Sequence, residues 1–98
     1  MHVYKFDWDP SKAASNLRKH GIDFNVAATV FKDSLMASIL DEAHSDTEER
    51  WITVGVDKNG KIQVVSHTQR DVDDHVLIRI ISARPATPNE RRQYESGQ

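Results

Sequence analysis

The stretch Arg50-Trp51-Ile52-Thr53-Val54-Gly55-Val56-Asp57-Lys58-Asn59-Gly60-Lys61-Ile62-Gln63-Val64-Val65-Ser66-His67-Thr68 decides the fold class. Both arms are rich in β-branched residues, and Asn59-Gly60 between them supplies the positive φ angles that a tight hairpin needs. Residues 50–56 and 62–68 therefore read as an antiparallel pair. Downstream, residues 76–83 are apolar at every position but Arg79 and Ser82, the pattern of a central strand covered on both faces. The intervening 69–75 reads as an acidic loop. Upstream, 37–41 reads as a further strand, and Tyr4-Lys5-Phe6-Asp7-Trp8 alternates aromatic and charged residues as a short strand does.

The helices are marked by their ends. Asp9-Pro10 pairs an N-cap carboxylate with proline at the first helical position, and Gly21 is a C-terminal stop, so a helix is expected over Pro10–His20. Ala13 and Leu17 are expected to point inward, with Lys12, Asn16, Lys19 and His20 as a polar stripe on another face. Asp23 caps a second helix over 24–32, with Phe24, Ala27, Ala28 and Phe31 as its apolar side. Thr87-Pro88-Asn89-Glu90 is a capping box that opens a short terminal helix carrying Arg91, Arg92 and Tyr94 and fraying before Gln98. The order is β-α-α-β-β-β-β-α. It implies an α+β fold, in one domain over 1–98, whose mainly antiparallel sheet of four to five strands carries two N-terminal helices and a short C-terminal one.

Composition narrows the function. The 98 residues hold no cysteine, which excludes disulfides, thiolate metal sites and a cysteine nucleophile. No apolar run reaches the roughly 18 residues of a membrane span, and the first residues lack a signal-peptide pattern, so a cytoplasmic location is expected with no membrane partner. The five histidines, His2, His20, His44, His67 and His75, are scattered without ligand spacing, and no metal or other cofactor is expected. There is no glycine-rich phosphate loop and no nucleophile elbow.

Net charge is −2, from 13 Lys and Arg against 15 Asp and Glu. Residues 41–49 and 71–74 hold eight of those acids and no Lys or Arg, so the rest of the chain carries +6. Two acidic loops on a basic scaffold leave room for a phosphate-binding face, although acids that merely solubilise loops explain the same numbers.

The cations in unusual places are Arg79, inside an apolar strand, and Arg84 at its end. A guanidinium there is either paired with an acid such as Glu49 or aimed at phosphate, where its planar fork suits two oxygens. Their odd separation places them on opposite faces unless the strand bulges. Lys19 and His20 stabilise the end of the first helix or serve a site. Trp51 is either core or an apolar wall on which a base stacks. The sequence leaves open whether His67 faces cleft or solvent.

Four blocks resemble the BrnT family of bacterial toxins, which are RelE-like ribonucleases. The first is Phe6-Asp7-Trp8-Asp9-Pro10-Ser11-Lys12 with Asn16 and Lys19-His20-Gly21. The second is Phe24, Ala27-Ala28 and Val30-Phe31. The third is Glu49-Arg50-Trp51 with Gly55. The fourth is Arg79-Ile80-Ile81-Ser82-Ala83-Arg84 with Ala86-Thr87, Glu90-Arg91 and Tyr94.

The resemblance implies a RelE/ParE-like fold and a toxin that cleaves RNA without a metal and inhibits translation and growth. It also implies neutralisation by a BrnA-type antitoxin with a ribbon-helix-helix DNA-binding part, through which alone the complex would reach operator DNA. For such cleavage His20 is the acid/base expected from the sequence, because a free imidazole titrates near ~6.5. Lys19, Arg50, Arg79 and Arg84 are the expected phosphate clamp. Lys12, Asn16, Trp51 and Tyr94 are the expected RNA contacts. A ParE-like toxin that binds gyrase without catalysis, and an inactive co-repressor module, are the alternatives.

Overall fold

The computed structural model of the chain describes residues 3–45 and 47–97. The readings that touch His2, Asp46 and Gln98 lie outside them. Five strands form one sheet: β1 (Tyr4–Trp8), β2 (Ala37–Leu40), β3 (Trp51–Val56), β4 (Ile62–Val72) and β5 (His75–Pro85), in the spatial order β1-β5-β4-β3-β2. The helices are α1 (Pro10–His20), α2 (Phe24–Ala27), continued by a 3-10 segment Ala28–Lys32, and α3 (Pro88–Ser96). This is the α+β fold expected, with one difference: β1 joins β5 in parallel, so the sheet is mixed.

The capping chemistry works as the sequence dictates. The Asp9 side chain accepts from the backbone N–H of Ser11, Gly21 takes φ 68°, and the Thr87–Glu90 capping box is complete. The second helix is not regular over 24–32. It tightens to 3-10 geometry at Ala28, which shortens its repeat and turns Val30 into the core beside Phe24, Ala27 and Phe31.

Those residues cover one face of the sheet. The Phe31 ring lies 5.7 Å from Tyr4, 5.5 Å from Phe6 and 5.0 Å from the imidazole of His67, and Trp8 meets Phe24 edge-on at 5.8 Å. Close approach is needed at Gly55, where a Cβ would stand 2.8 Å from Val30 Cγ1.

Three expectations are corrected. The loop over 69–75 is strand: β4 runs on to Val72 and turns into β5 through Asp73 and Asp74. Arg70 and Leu77 pair there, and the polar residues are simply the solvated positions of an extended ladder. Strand β5 is interior to the sheet but its far face is open, since Ile78 and Ile80 are buried while Arg79 between them is exposed. On α1, Leu17 is 51% exposed and Asn16 only 5% exposed, so the inward pair is Ala13 and Asn16, three residues apart, rather than Ala13 and Leu17.

Candidate functional site

A single irregularity organises the open face. His67 pairs with Ile80 and Ser66 with Ser82, so β5 carries one extra residue, Ile81, opposite that step of β4. Beyond it every β5 side chain is switched to the other face. Arg79 pairs with Thr68 and Arg84 with Val64, and these β4 partners are four residues apart, so both arginines stand on the same face. The separation along the strands is about 13 Å. Between them lie the half-buried Ser66 and Ser82. Arg50, half-buried, immediately precedes the Trp51–His67 pair and so continues the strand towards the Thr68–Arg79 row.

Arg79 and Arg84 each have a carboxylate partner. Arg79 Nη1 donates to Asp7 Oδ2 at 2.5 Å across the parallel β1–β5 ladder, with both side chains about half exposed. Arg84 makes a fork-to-fork pair with Glu90, at 2.7 and 2.8 Å, and Glu90 also accepts from the backbone N–H of Thr87. The guanidinium holds the Glu90 carboxyl down at about 2, and Glu90 in turn raises Arg84 above its ordinary value. The half-exposed Arg79–Asp7 pair contributes about 0–1 kcal/mol, so a phosphate competes for Arg79 at small cost, whereas the bidentate, part-buried Arg84–Glu90 pair is held more firmly.

Two clefts flank these groups. One of about 420 Å³ is lined by Asp7, Glu48, Glu49, Thr68, Arg70 and Arg79 among others. Another of about 290 Å³ lies against Arg84, with Ile39, Ile52, Val54 and the Tyr94 ring as its apolar wall. The Tyr94 hydroxyl donates to Asp33, which also accepts from the backbone N–H of Val56. Burial first, and then this bond to Asp33, push the Tyr94 hydroxyl up to about 12.

The remaining expected residues are not brought to this face. Lys19 and His20 are exposed at the end of α1, and His20 borders a different cleft with Asp57, Lys61 and Gln63 at the β3–β4 hairpin. Asn16 is no surface contact: its amide donates to the carbonyls of Ala83 (2.9 Å) and Ile22 (3.2 Å) and accepts from the N–H of Ala83 (3.0 Å). Trp51 is half-buried on the helix-covered face and lines a third cleft with Tyr4, Phe31 and Met36. Lys12 is exposed on the first turns of α1 and, with Arg79, helps hold the Asp9 carboxyl low, after the hydrogen bonds from Ser11. His67 faces neither cleft nor solvent. It is fully buried, 2.7 Å from Thr53 Oγ1, and burial lowers its pKa to about 4.

Sequence reasoning missed Asp7, Glu48 and Arg70 as neighbours of Arg79. No local signal reports them: Asp7 meets it through the β1–β5 pairing, Arg70 through the added length of β4, and Glu48 from the segment before β3. Among the described residues no group of three or more His, Asp or Glu is arranged to hold a metal ion, and no helix is long and apolar enough to cross a membrane.

Residues 8–90 match the family model for the ribonuclease toxin, BrnT, of type II toxin-antitoxin systems. Among solved structures, the Brucella abortus ribonuclease toxin BrnT superposes with a TM-score of 0.59 at 23% identity, over 87% of this chain and 99% of that one, a likeness of fold. No curated protein matches the sequence.

Proposed function

The chain belongs to the BrnT family of ribonuclease toxins of type II toxin-antitoxin systems, and from that premise we propose that it cleaves RNA on the open face of its sheet, without a metal ion, between Arg79 and Arg84. The observation that carries this reading is the Ile81 bulge, which aligns the two arginines on one face with Asp7 already bonded to the first.

In this reaction the 2′-hydroxyl oxygen attacks the adjacent phosphorus and the P–O5′ bond breaks, leaving a 2′,3′-cyclic phosphate and a 5′-hydroxyl. Asp7 takes the 2′ proton. Arg79 stabilises the charge that builds on the phosphorane, the role a metal fills in other nucleases. The leaving oxygen takes its proton from solvent, which reaches this exposed face. Arg84 and Arg50 hold neighbouring phosphates, and Lys12 extends the cationic surface past the start of α1. The Tyr94 ring, anchored through Asp33, offers a wall for a base beside Arg84. Lys19, His20 and Trp51 stand outside the reacting centre. Asn16 acts by holding α1 to β5.

The toxin acts in the cytoplasm, where its RNA is, and its antitoxin is of the BrnA type, with the ribbon-helix-helix part that binds operator DNA. The test is incubation of the purified chain with RNA in excess EDTA. Fragments ending in 2′,3′-cyclic phosphate are expected. Cleavage that appears only on adding a divalent cation rejects the mechanism, and intact RNA rejects the activity.

A further inference from the structure

We propose that the free edge of β4 over residues 68–72 is a strand-addition site for an extended, basic segment of the antitoxin. The inference rests on the reading above that this chain is a neutralised toxin. Strand β3 stops at the Trp51–His67 pair, whereas β4 continues to Val72, paired only with β5. Among the described residues no strand lies against the other side of that stretch. Its outward N–H and C=O groups are a template for a further chain.

The edge sits in a slot. A cleft of about 330 Å³ on the helix-covered face and the 420 Å³ cleft on the open face both have Gln69 and Arg70 on one side and Glu49 on the other. A strand laid in the slot sends alternate side chains to the two faces. One set enters the aromatic and apolar cleft of Tyr4, Phe31, Met36, Trp51 and Val76. The other enters beside Asp7, Glu48 and Arg79.

Charge selects the occupant. The two clefts together present Asp7, Glu48, Glu49 and Asp71 against Arg70 and Arg79, and Asp73 and Asp74 turn the hairpin next to them. The excess of acids favours a basic side chain beside Asp7 and Glu48, so an alternating apolar–basic peptide fits the slot. A basic side chain there competes with Arg79 for Asp7 and closes the reacting centre, which ties neutralisation to the site itself.

The probe is a capped six-residue peptide of alternating leucine and arginine, titrated into the full ¹⁵N-labelled chain. Expected are shifts and slowed hydrogen exchange at the amides of 69–72, together with inhibition of RNA cleavage. Binding is expected to weaken at least tenfold when alternate peptide amides are methylated, when glutamate replaces arginine, and in the Glu48→Lys chain, whose exposed substitution does not touch the core. No response of those amides at millimolar peptide overturns the proposal, as does equal binding by the methylated peptide. Edge binding in a chain that cuts no RNA overturns the ribonuclease reading and supports strand addition. Cleavage without edge binding does the reverse.

Discussion

Replacing Asn16 by alanine removes three hydrogen bonds at once. Two of them close on Ala83, which is fully buried, so its N–H and C=O lose their amide partner with no water to replace it. A hydrogen bond contributes about 0.5–1.5 kcal/mol net, and a buried group left unsatisfied costs about 1–3 kcal/mol. The expected loss is about 3 kcal/mol. For a chain of this size that lowers the melting temperature by about 12–24 °C. Urea denaturation followed by tryptophan fluorescence, alongside thermal melts, measures it, and the slope with denaturant should not change. Asn16→Asp should be no better, because its carboxylate faces the carbonyls of Ala83 and Ile22. A loss below about 1 kcal/mol, with RNA affinity falling instead, refutes the reasoning and returns Asn16 to the role its place in the sequence suggested.

Two further outcomes follow from the structure. Burial lowers the His67 pKa from 6.5 to about 4, so on unfolding the imidazole gains a proton that the folded chain excludes. Stability from this group is complete above pH 6.5 and declines as pH falls towards 4, by about 3 kcal/mol in all. Denaturation at pH 7, 5.5 and 4.5 should show that decline in the native chain and lose it in His67→Gln. His20→Ala should leave RNA cleavage within about threefold of the native rate, since histidine as general acid or base at the reacting centre would be worth at least about 10²-fold. Single-turnover assays decide between the two.

The elements that declare themselves locally were legible. Asp9-Pro10, Gly21, Asp23 and Thr87-Pro88-Asn89-Glu90 mark helix ends through hydrogen bonds to residues two to four positions away, and Asn59-Gly60 marks its hairpin. What escaped is non-local. Gln69, Arg70 and Asp71 look like loop because their exposed side chains conceal a backbone ladder to Val76, Leu77 and Ile78. The parallel union of β1 with β5 joins residues more than seventy positions apart, and with it the Asp7–Arg79 pair.

The site followed the same rule. Arg79 and Arg84 stood out because charge in an apolar strand needs a reason, but only the Ile81 bulge puts them on one face, and a bulge has no signature in this sequence. The titration range that points to His20 belongs to the residue type, whereas its place beside the β3–β4 hairpin comes from how α1 lies across the sheet. Asn16 misled because a polar residue at a polar helical spacing is ordinarily exposed, whereas here the amide stitches α1 to the backbone of β5.

The most direct measurement is the single-turnover RNA cleavage rate of purified Arg79→Ala in EDTA, with folding verified by its circular dichroism and melting temperature. A rate lower by about 10²–10³-fold is expected in a chain of near-native stability, because an exposed ion pair holds little of the fold while the guanidinium holds the transition-state charge. A folded Arg79→Ala chain that cleaves RNA at the native rate contradicts that role.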